Sequence, residues 1–172
     1  MKKFIASGFG VGLLWKLLFK DKKGGGTLAS LLFALIIYFL NFNLLYLFSI
    51  FVALILIYFL VVDDEEADDD PSWITLDEIC GMSLVTLVSQ GDLFPLIAGF
   101  LVFRASDILK KPNIVGEMEK YPGKIGVLYD DLAAGTIGLI SALIVNQVMF
   151  ITCLLYTSPS PRDVEESRMP SS

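Results

Sequence analysis

Apolar residues form a long block near the start of the chain. From Thr27 to Val62 the sequence carries no charged side chain. A membrane-crossing helix needs about 20 apolar residues, so this block is too long for one crossing. Asn41-Phe42-Asn43 interrupts it with residues that favour turns and helix caps. The pattern predicts a helical hairpin whose first arm, Leu28–Leu40, is short or tilted.

A second helical region follows an acidic stretch. Ser72 or Thr75 can begin a helix that runs to Ser89, and Thr75 followed by Glu78 has the spacing of a capping box. The acidic stretch itself, residues 63–71, has adjacent like charges without spaced ligands. We interpret it as a hydrated linker rather than as a divalent-cation site.

The next apolar segment predicts the return arm of a second hairpin. Residues 90–92, Gln-Gly-Asp, have turn character, and a helix is predicted from Leu93 to about Lys110, where Pro112 stops it. A single span over residues 83–103 is the alternative, but it would place Gln and Asp in mid-membrane. The hairpin is preferred because it brings two charged motifs to one end, namely Asp77-Glu78 and Arg104/Asp107.

The last predicted helix runs from about Asp131 to Leu155, after a polar connection over residues 111–129. Its small residues Ala134, Gly138 and Ala142 recur every four positions, which favours close packing against another helix. The chain is therefore predicted to be all-α, a polytopic membrane bundle of about five helices, some of them short or tilted.

Composition supports a membrane domain. Of the 172 residues, 55% are hydrophobic, which is high for a soluble domain of this length. The predicted organisation is a basic N-terminal arm with a Gly-rich loop (1–27), a membrane helical domain (28–155) and a disordered tail (156–172). The sequence of the tail resembles translated adapter or vector sequence. Cys80 and Cys153 lie in apolar surroundings, so we expect reduced thiols rather than a disulfide.

Charge placement predicts the orientation. Lysines precede the first apolar block, and basic segments favour the cytoplasmic side. With two hairpins, all the candidate acidic residues described below lie on that side of the membrane. We therefore expect a multi-pass protein of the bacterial inner membrane with its site facing the cytoplasm. The lysines in question are Lys2, Lys3, Lys16, Lys20, Lys22 and Lys23.

Carboxylates from three segments suggest a site for a hard divalent cation and an anionic oxygen ligand. Mg²⁺ binds one or two carboxylates together with water and phosphate oxygens. Arg104, Asp107 and Lys111 have the spacing of one helix face, and Arg104 can bind a phosphate with two hydrogen bonds. The candidate catalytic residues are Asp77, Glu78, Asp107, Asp130 and Asp131, of which Asp77, Glu78, Asp130 and Asp131 are also candidate Mg²⁺ ligands.

Missing residues narrow the chemistry. The chain has no histidine, which excludes a phosphohistidine or a histidine base. Thr86 stands where a Cys-x5-Arg phosphatase needs its arginine, so Cys80 is a poor candidate for a nucleophile. The loop 24–27, Gly-Gly-Gly-Thr, is not a Walker loop, although its amides can meet an anion at a helix start.

Three motifs resemble those of the phosphatidylglycerophosphatase A family. They are Asp-Glu…Gly-Met within residues 76–82, Phe-Arg-x-x-Asp-x-x-Lys within 103–112, and Asp-Asp-x-x-Ala-Gly within 126–135. Residues 8–12 and 26–31 also look like the N-terminal part of that family. The resemblance covers about residues 6–155 in the right order.

This resemblance implies a Mg²⁺-dependent membrane hydrolase that converts phosphatidylglycerophosphate to phosphatidylglycerol, with a lipid substrate and no nucleic-acid partner. The oligomeric state stays open. A small cation-binding transporter or channel subunit remains the alternative, whereas the longer pattern of a CDP-alcohol phosphotransferase is not found. The predicted substrate-binding residues are Arg104, Lys111, Lys124 and Thr27.

Overall fold

A computed structural model describes residues 1–19, 24–64, 73–89, 91–118 and 120–157. All regular secondary structure in these ranges is helical, which confirms the all-α prediction. The helices are α1 (Lys2–Ala6), α2 (Val11–Phe19), α3 (Gly25–Leu40), α4 (Leu44–Val61), α5 (Leu76–Ser89), α6 (Leu93–Leu109), α7 (Asn113–Met118) and α8 (Lys124–Thr157).

The predicted break of the first apolar block at residues 41–43 is confirmed, although the two arms, α3 and α4, pack mainly on α5 rather than on each other. Helix α3 ends at Asn41, which adopts the left-handed conformation with φ 45°. Asn43 caps α4, because its side-chain oxygen accepts a hydrogen bond of 3.1 Å from the Tyr46 amide. Two asparagines therefore perform the two halves of one turn, as their helix-ending and helix-starting preferences predict.

The second predicted hairpin is also confirmed, so a single span over residues 83–103 is wrong. Helices α5 and α6 are separate, and Gly91 lies between them with φ +90°. The predicted capping box does not form, since the Thr75 hydroxyl makes no hydrogen bond to any described residue. The carboxylate of Glu78 pairs instead with Arg104.

The final helix differs from its prediction. Helix α8 begins at Lys124 rather than near Asp131, about two turns earlier. Asp130 and Asp131 therefore lie inside the helix, beyond its first turn, rather than at its N-terminus. The polar connection is shorter than predicted because α8 starts earlier. It contains one short helix, α7.

Glycine contacts allow α5 and α6 to pack closely on α8. A Cβ atom at Gly135 would overlap the carbonyl of Gly81, and one at Gly99 would lie 3.0 Å from the carbonyl oxygen of Gly138. Ala134 and Ala142, one turn to either side of Gly138, are fully buried. The predicted small-residue face of the last helix is thus confirmed, and it lies against both arms of the second hairpin.

Two helices of the described structure are long and apolar enough to cross a membrane, Leu44–Val61 and Lys124–Tyr156. Most of each remains exposed on the surface of the molecule. Helix α3 is apolar but has 16 residues, about 24 Å, which is short of a hydrocarbon core of about 30 Å. The prediction of about five membrane helices is therefore not confirmed, since length and composition support two crossings.

The N-terminal arm packs against the start of the second hairpin. Gly12 lies against the carbonyl of Trp73, and the Lys3 ammonium lies 5.6 Å from the centre of the Trp73 ring. Lys2 pairs with Asp63 at 3.2 Å. Several sequence predictions fall outside the described residues: the acidic linker beyond Asp64, Ser72, Gln90, the lysines at 20, 22 and 23, and the tail beyond Thr157.

Candidate active site

The acidic residues gather at one end of the bundle, as the two-hairpin topology predicts. Asp77 and Glu78 lie in the first turn of α5. Asp107 lies in the last turn of α6, which runs in the opposite direction. Asp130 and Asp131 reach the same region from the second turn of α8, because that helix starts earlier than predicted.

Arg104 connects three of the elements that form this site. Its Nη1 lies 2.8 Å from Asp107 Oδ2, and its Nη2 lies 3.5 Å from Glu78 Oε1. The same Nη2 donates a hydrogen bond of 3.0 Å to the hydroxyl of Thr27, the third residue of α3. Arg104 is only 8% exposed, and its buried Nε makes no hydrogen bond to a described residue. One side of the guanidinium therefore retains a donor for an anion.

Lys110 extends the network to α8. Its ammonium lies 3.4 Å from Asp107 Oδ1 and is in direct contact with Asp130 Oδ2. The result is a continuous series of charges that alternate in sign, running from α5 through α6 to α8: Glu78, Arg104, Asp107, Lys110 and Asp130.

Asp131 adds a buried carboxylate at the centre of this charge distribution. It is 4% exposed, and its Oδ1 makes no hydrogen bond to a described residue. A buried carboxylate is costly unless cations or hydrogen-bond donors compensate it. The carboxylates that repel it most are Asp77, Asp107, Glu78 and Asp130. The site thus has more negative charge than its two cationic side chains balance.

Gly26 is a site residue that the sequence motifs did not identify. A Cβ atom at this position would overlap the carboxylate of Glu78. The start of α3 therefore lets Glu78 lie over bare backbone while the adjacent Thr27 contacts Arg104. The sequence signals at this position are the glycine-rich loop and the resemblance of residues 26–31 to the N-terminal part of the family, and neither of them assigns a role to Gly26.

The two other predicted cations lie elsewhere. Lys111 is exposed, and the prediction that it shares a helix face with Arg104 is wrong because α6 ends at Leu109. The residue beside Asp130 is its neighbour Lys110. Lys124 donates to the carbonyl oxygen of Val62 at 3.2 Å, where α4 ends. Its predicted role in substrate binding has no contact with the charged series to support it.

The environment of Cys80 argues against a thiolate. Burial raises the pKa of this thiol well above its usual range, and the carboxylates of Asp77 and Asp131 raise it further. A thiol held in its protonated form is a poor nucleophile. The sequence argument against cysteine chemistry therefore agrees with the surroundings of this residue.

The donor chemistry of the site fits a hard cation such as Mg²⁺. Its candidate ligands are all carboxylates, which Mg²⁺ prefers. One buried carboxylate oxygen, Asp131 Oδ1, has no hydrogen-bond donor among the described residues. No group of three or more Asp, Glu or Cys residues in the described ranges has the arrangement of a formed metal site. Binding of an ion would therefore require carboxylates to move, as Asp130 could if Lys110 released it.

Fold and site together define an all-helical protein whose apolar bundle carries a buried carboxylate and guanidinium site at one end. The family model described as phosphatidylglycerophosphatase A matches residues 4–146. The chain belongs to the phosphatidylglycerophosphatase A family. With its two long apolar helices, this membership indicates a membrane-associated protein.

One relative carries a different substrate in its name. A protein of Bacteroides thetaiotaomicron named "Putative phosphatidylinositol-3-phosphatase" is 36% identical over 84 residues, which is 47% of this chain and 52% of the relative. The chain thus matches only about half the length of this relative. No solved structure matches the chain.

Proposed function

We propose that this protein hydrolyses the terminal phosphate monoester of phosphatidylglycerophosphate, in a Mg²⁺-dependent reaction that yields phosphatidylglycerol. The observation that carries the proposal is the charged series from Glu78 to Asp130, in which Arg104 retains a buried donor. Such a site suits a phosphate, whose oxygens accept two hydrogen bonds from one guanidinium. Membership of the phosphatidylglycerophosphatase A family supports phosphatidylglycerophosphate as the substrate.

In this proposal Arg104 binds and orients the phosphoryl group, while Thr27, Glu78 and Asp107 fix the guanidinium. The residues that would hold Mg²⁺ are Asp77, Glu78, Asp130 and Asp131. When bound, Mg²⁺ supplies polarisation of a phosphoryl oxygen and a water of lowered pKa.

The reaction breaks the phosphorus–oxygen bond to the lipid glycerol and forms one to the oxygen of water. One carboxylate of the site accepts a proton from that water, and this proton passes to the departing oxygen of the headgroup glycerol. The products are inorganic phosphate and a lipid alcohol. Arg104 contributes by remaining bound to phosphoryl oxygens whose charge redistributes as the bond breaks.

The proposed setting is the inner membrane of a bacterium, with several crossings and the site on the cytoplasmic side. The site lies where α8 begins and α4 ends, and both of these helices are apolar enough to cross a membrane. A lipid headgroup could then reach Arg104 while its acyl chains remain beside the helices. Lys2, Lys3 and Lys16 near the N-terminus favour the cytoplasmic side.

The test is phosphate release from phosphatidylglycerophosphate by the purified protein, with and without Mg²⁺. We expect Mg²⁺-dependent release that is lost in the double variant Asp77→Asn, Asp131→Asn. The control is Asp64→Asn, an acidic residue whose side chain is 66% exposed. Full activity of the double variant would refute the proposed site.

Two further measurements separate the alternatives. Phosphatidylinositol 3-phosphate is assayed in parallel because the relative's name points to it. Preference for that lipid would keep the phosphatase chemistry and replace the proposed substrate. Cation flux through reconstituted vesicles without phosphate release from either lipid would favour the transporter alternative.

A further inference from the structure

Lys110 holds a position in the site that the helix-face pattern assigned to Lys111, and it is the lysine of the family-like motif Phe-Arg-x-x-Asp-x-x-Lys. It ends α6 in the left-handed conformation, with φ 49° and ψ 44°, which is uncommon for a residue with a side chain. This cap turns the chain so that Lys110, rather than Lys111, reaches α8. Its ammonium contacts Asp130 and lies 3.4 Å from Asp107 Oδ1. Lys110 is thus the cation that links two acidic helices.

The ammonium occupies a place that suits a divalent ion. It lies between carboxylate oxygens of Asp107 and Asp130, on two different helices, and carboxylates are the side chains that would hold Mg²⁺. Next to Asp130 lies Asp131, whose buried Oδ1 makes no hydrogen bond to a described residue. Asp131 also experiences repulsion from Asp77 and Glu78. The surplus negative charge around Lys110 attracts any cation that can enter.

The side chain of Lys110 has room to leave. It is 35% exposed, whereas that of Asp130 is 7% exposed. A lysine has a flexible stem and a compact charge, so it can exchange partners without moving the backbone. Arg104 lacks this freedom, since its side chain is 10% exposed and is held by contacts to α3, α5 and α6.

We propose that the Lys110 ammonium is an exchangeable counterion, which competes with a divalent cation for Asp130. When the cation binds this carboxylate, the ammonium moves away and becomes available to the phosphate beside Arg104. This inference rests on the proposed function, because it assumes that a divalent cation enters the site. It assigns to Lys110 the phosphate-binding role that the sequence pattern had suggested for Lys111.

The first test compares Lys110→Met with Lys111→Met in the full-length protein purified in detergent. Calorimetric titration with Mg²⁺ alone should show at least about tenfold tighter binding to Lys110→Met, because a competing positive charge has been removed. Phosphate release by the same variant should fall at least about tenfold in kcat/KM. Lys111→Met should match the wild type in both measurements. Lys110→Arg, which keeps the charge, should bind Mg²⁺ within about threefold of the wild type.

The decisive result is that Lys110→Met binds Mg²⁺ more tightly while its kcat/KM for phosphate release falls. If Lys110 only stabilised the fold, its removal would weaken Mg²⁺ binding or leave it unchanged, and either result would overturn the exchange. Absence of Mg²⁺ binding by the wild type would instead overturn the metal requirement of the proposed function.

A second test needs no variant and so does not depend on the folding of one. The wild-type protein is treated briefly with an amine-acetylating reagent, with and without Mg²⁺, and the modified lysines are quantified by mass spectrometry. Mg²⁺ should increase acetylation of Lys110 and leave that of Lys111, the internal control, unchanged. Equal or lower acetylation of Lys110 in the presence of Mg²⁺ would contradict the exchange.

Discussion

Gly26 has no side chain, and this leaves the space in which the charged side chain of Glu78 lies. The carboxylate of Glu78 occupies the space that a Cβ atom at residue 26 would need. From that position Glu78 pairs with Arg104 at 3.5 Å, and the same guanidinium bonds to Thr27. The start of α3 therefore determines which direction the two key side chains of α5 and α6 face.

Replacement of Gly26 by alanine should move Glu78 away from Arg104. We expect at least about tenfold lower phosphate release, because misplacement of a positioning group by about 1 Å can cost about a hundredfold in rate. Gly116→Ala is the control, since its Cβ atom would meet only ordinary contacts at 3.7 Å. Wild-type activity in Gly26→Ala would show that Glu78 does not act from this position.

Helix α8 depends on glycine contacts to place its acidic residues. A Cβ atom at Gly81 would lie 2.6 Å from the backbone oxygen of Asp131, and one at Gly135 would overlap the carbonyl of Gly81. The close crossing of α5 and α8 is thus located beside the acidic residues themselves. The same contact between α5 and α8 therefore determines both how closely the helices pack and where Asp131 lies.

The variant Gly81→Ala should affect stability and activity together. A methyl group there would lie 2.6 Å from the backbone oxygen of Asp131 and 2.8 Å from the buried ring of Phe103. Because neither is the end of a flexible side chain, α8 must shift, at a cost of about 1–3 kcal/mol in the free energy of unfolding. We expect a lower melting temperature in detergent and reduced phosphate release. Thr136→Ala, at an exposed position of α8, should change neither by much. If the two variants behave alike, the crossing does not position Asp131.

At the scale of the molecule, α8 is long enough to connect the site with the far side of a membrane. Asp131 and Cys153 are separated along this helix by about 33 Å, close to the thickness of a hydrocarbon core of about 30 Å. The thiol of Cys153 is exposed and that of Cys80 is buried. The chain therefore carries one accessible natural label at the end of α8 opposite the site.

We expect a membrane-impermeant maleimide to label Cys153 from outside intact spheroplasts. Cys80 should stay unlabelled because burial raises the pKa of its thiol. Cys153→Ser should abolish labelling, and Lys111→Cys in that background should restore it only in inside-out vesicles. Labelling of both positions from the same side would contradict a crossing by α8.

Much of the candidate site could be predicted because its motifs lie at the ends of locally determined helices. Glu78, Arg104 and Asp107 meet as the second hairpin requires, and the turn residues at 90–92 predicted that hairpin. The start of α8 differs from the prediction, since the polar sequence up to residue 129 favours a connection where tertiary contacts support a helix from Lys124. The Tyr58 hydroxyl, for example, donates a 2.9 Å hydrogen bond to the carbonyl of Lys124 in the first turn.

The sequence by itself determined that this protein is helical and apolar, and which carboxylates share one end. These properties depend on hydrophobic periodicity and on turn residues such as Asn41, Asn43 and Gly91, which act over a few neighbouring positions. The sequence offered both Lys110, through the family-like motif, and Lys111, through the helix-face spacing. Only the tertiary structure decided that Lys110 is the one that contacts Asp130, and that Gly26 makes room for Glu78. Those choices depend on where one helix ends and how closely another approaches it, and residues distant in sequence set both.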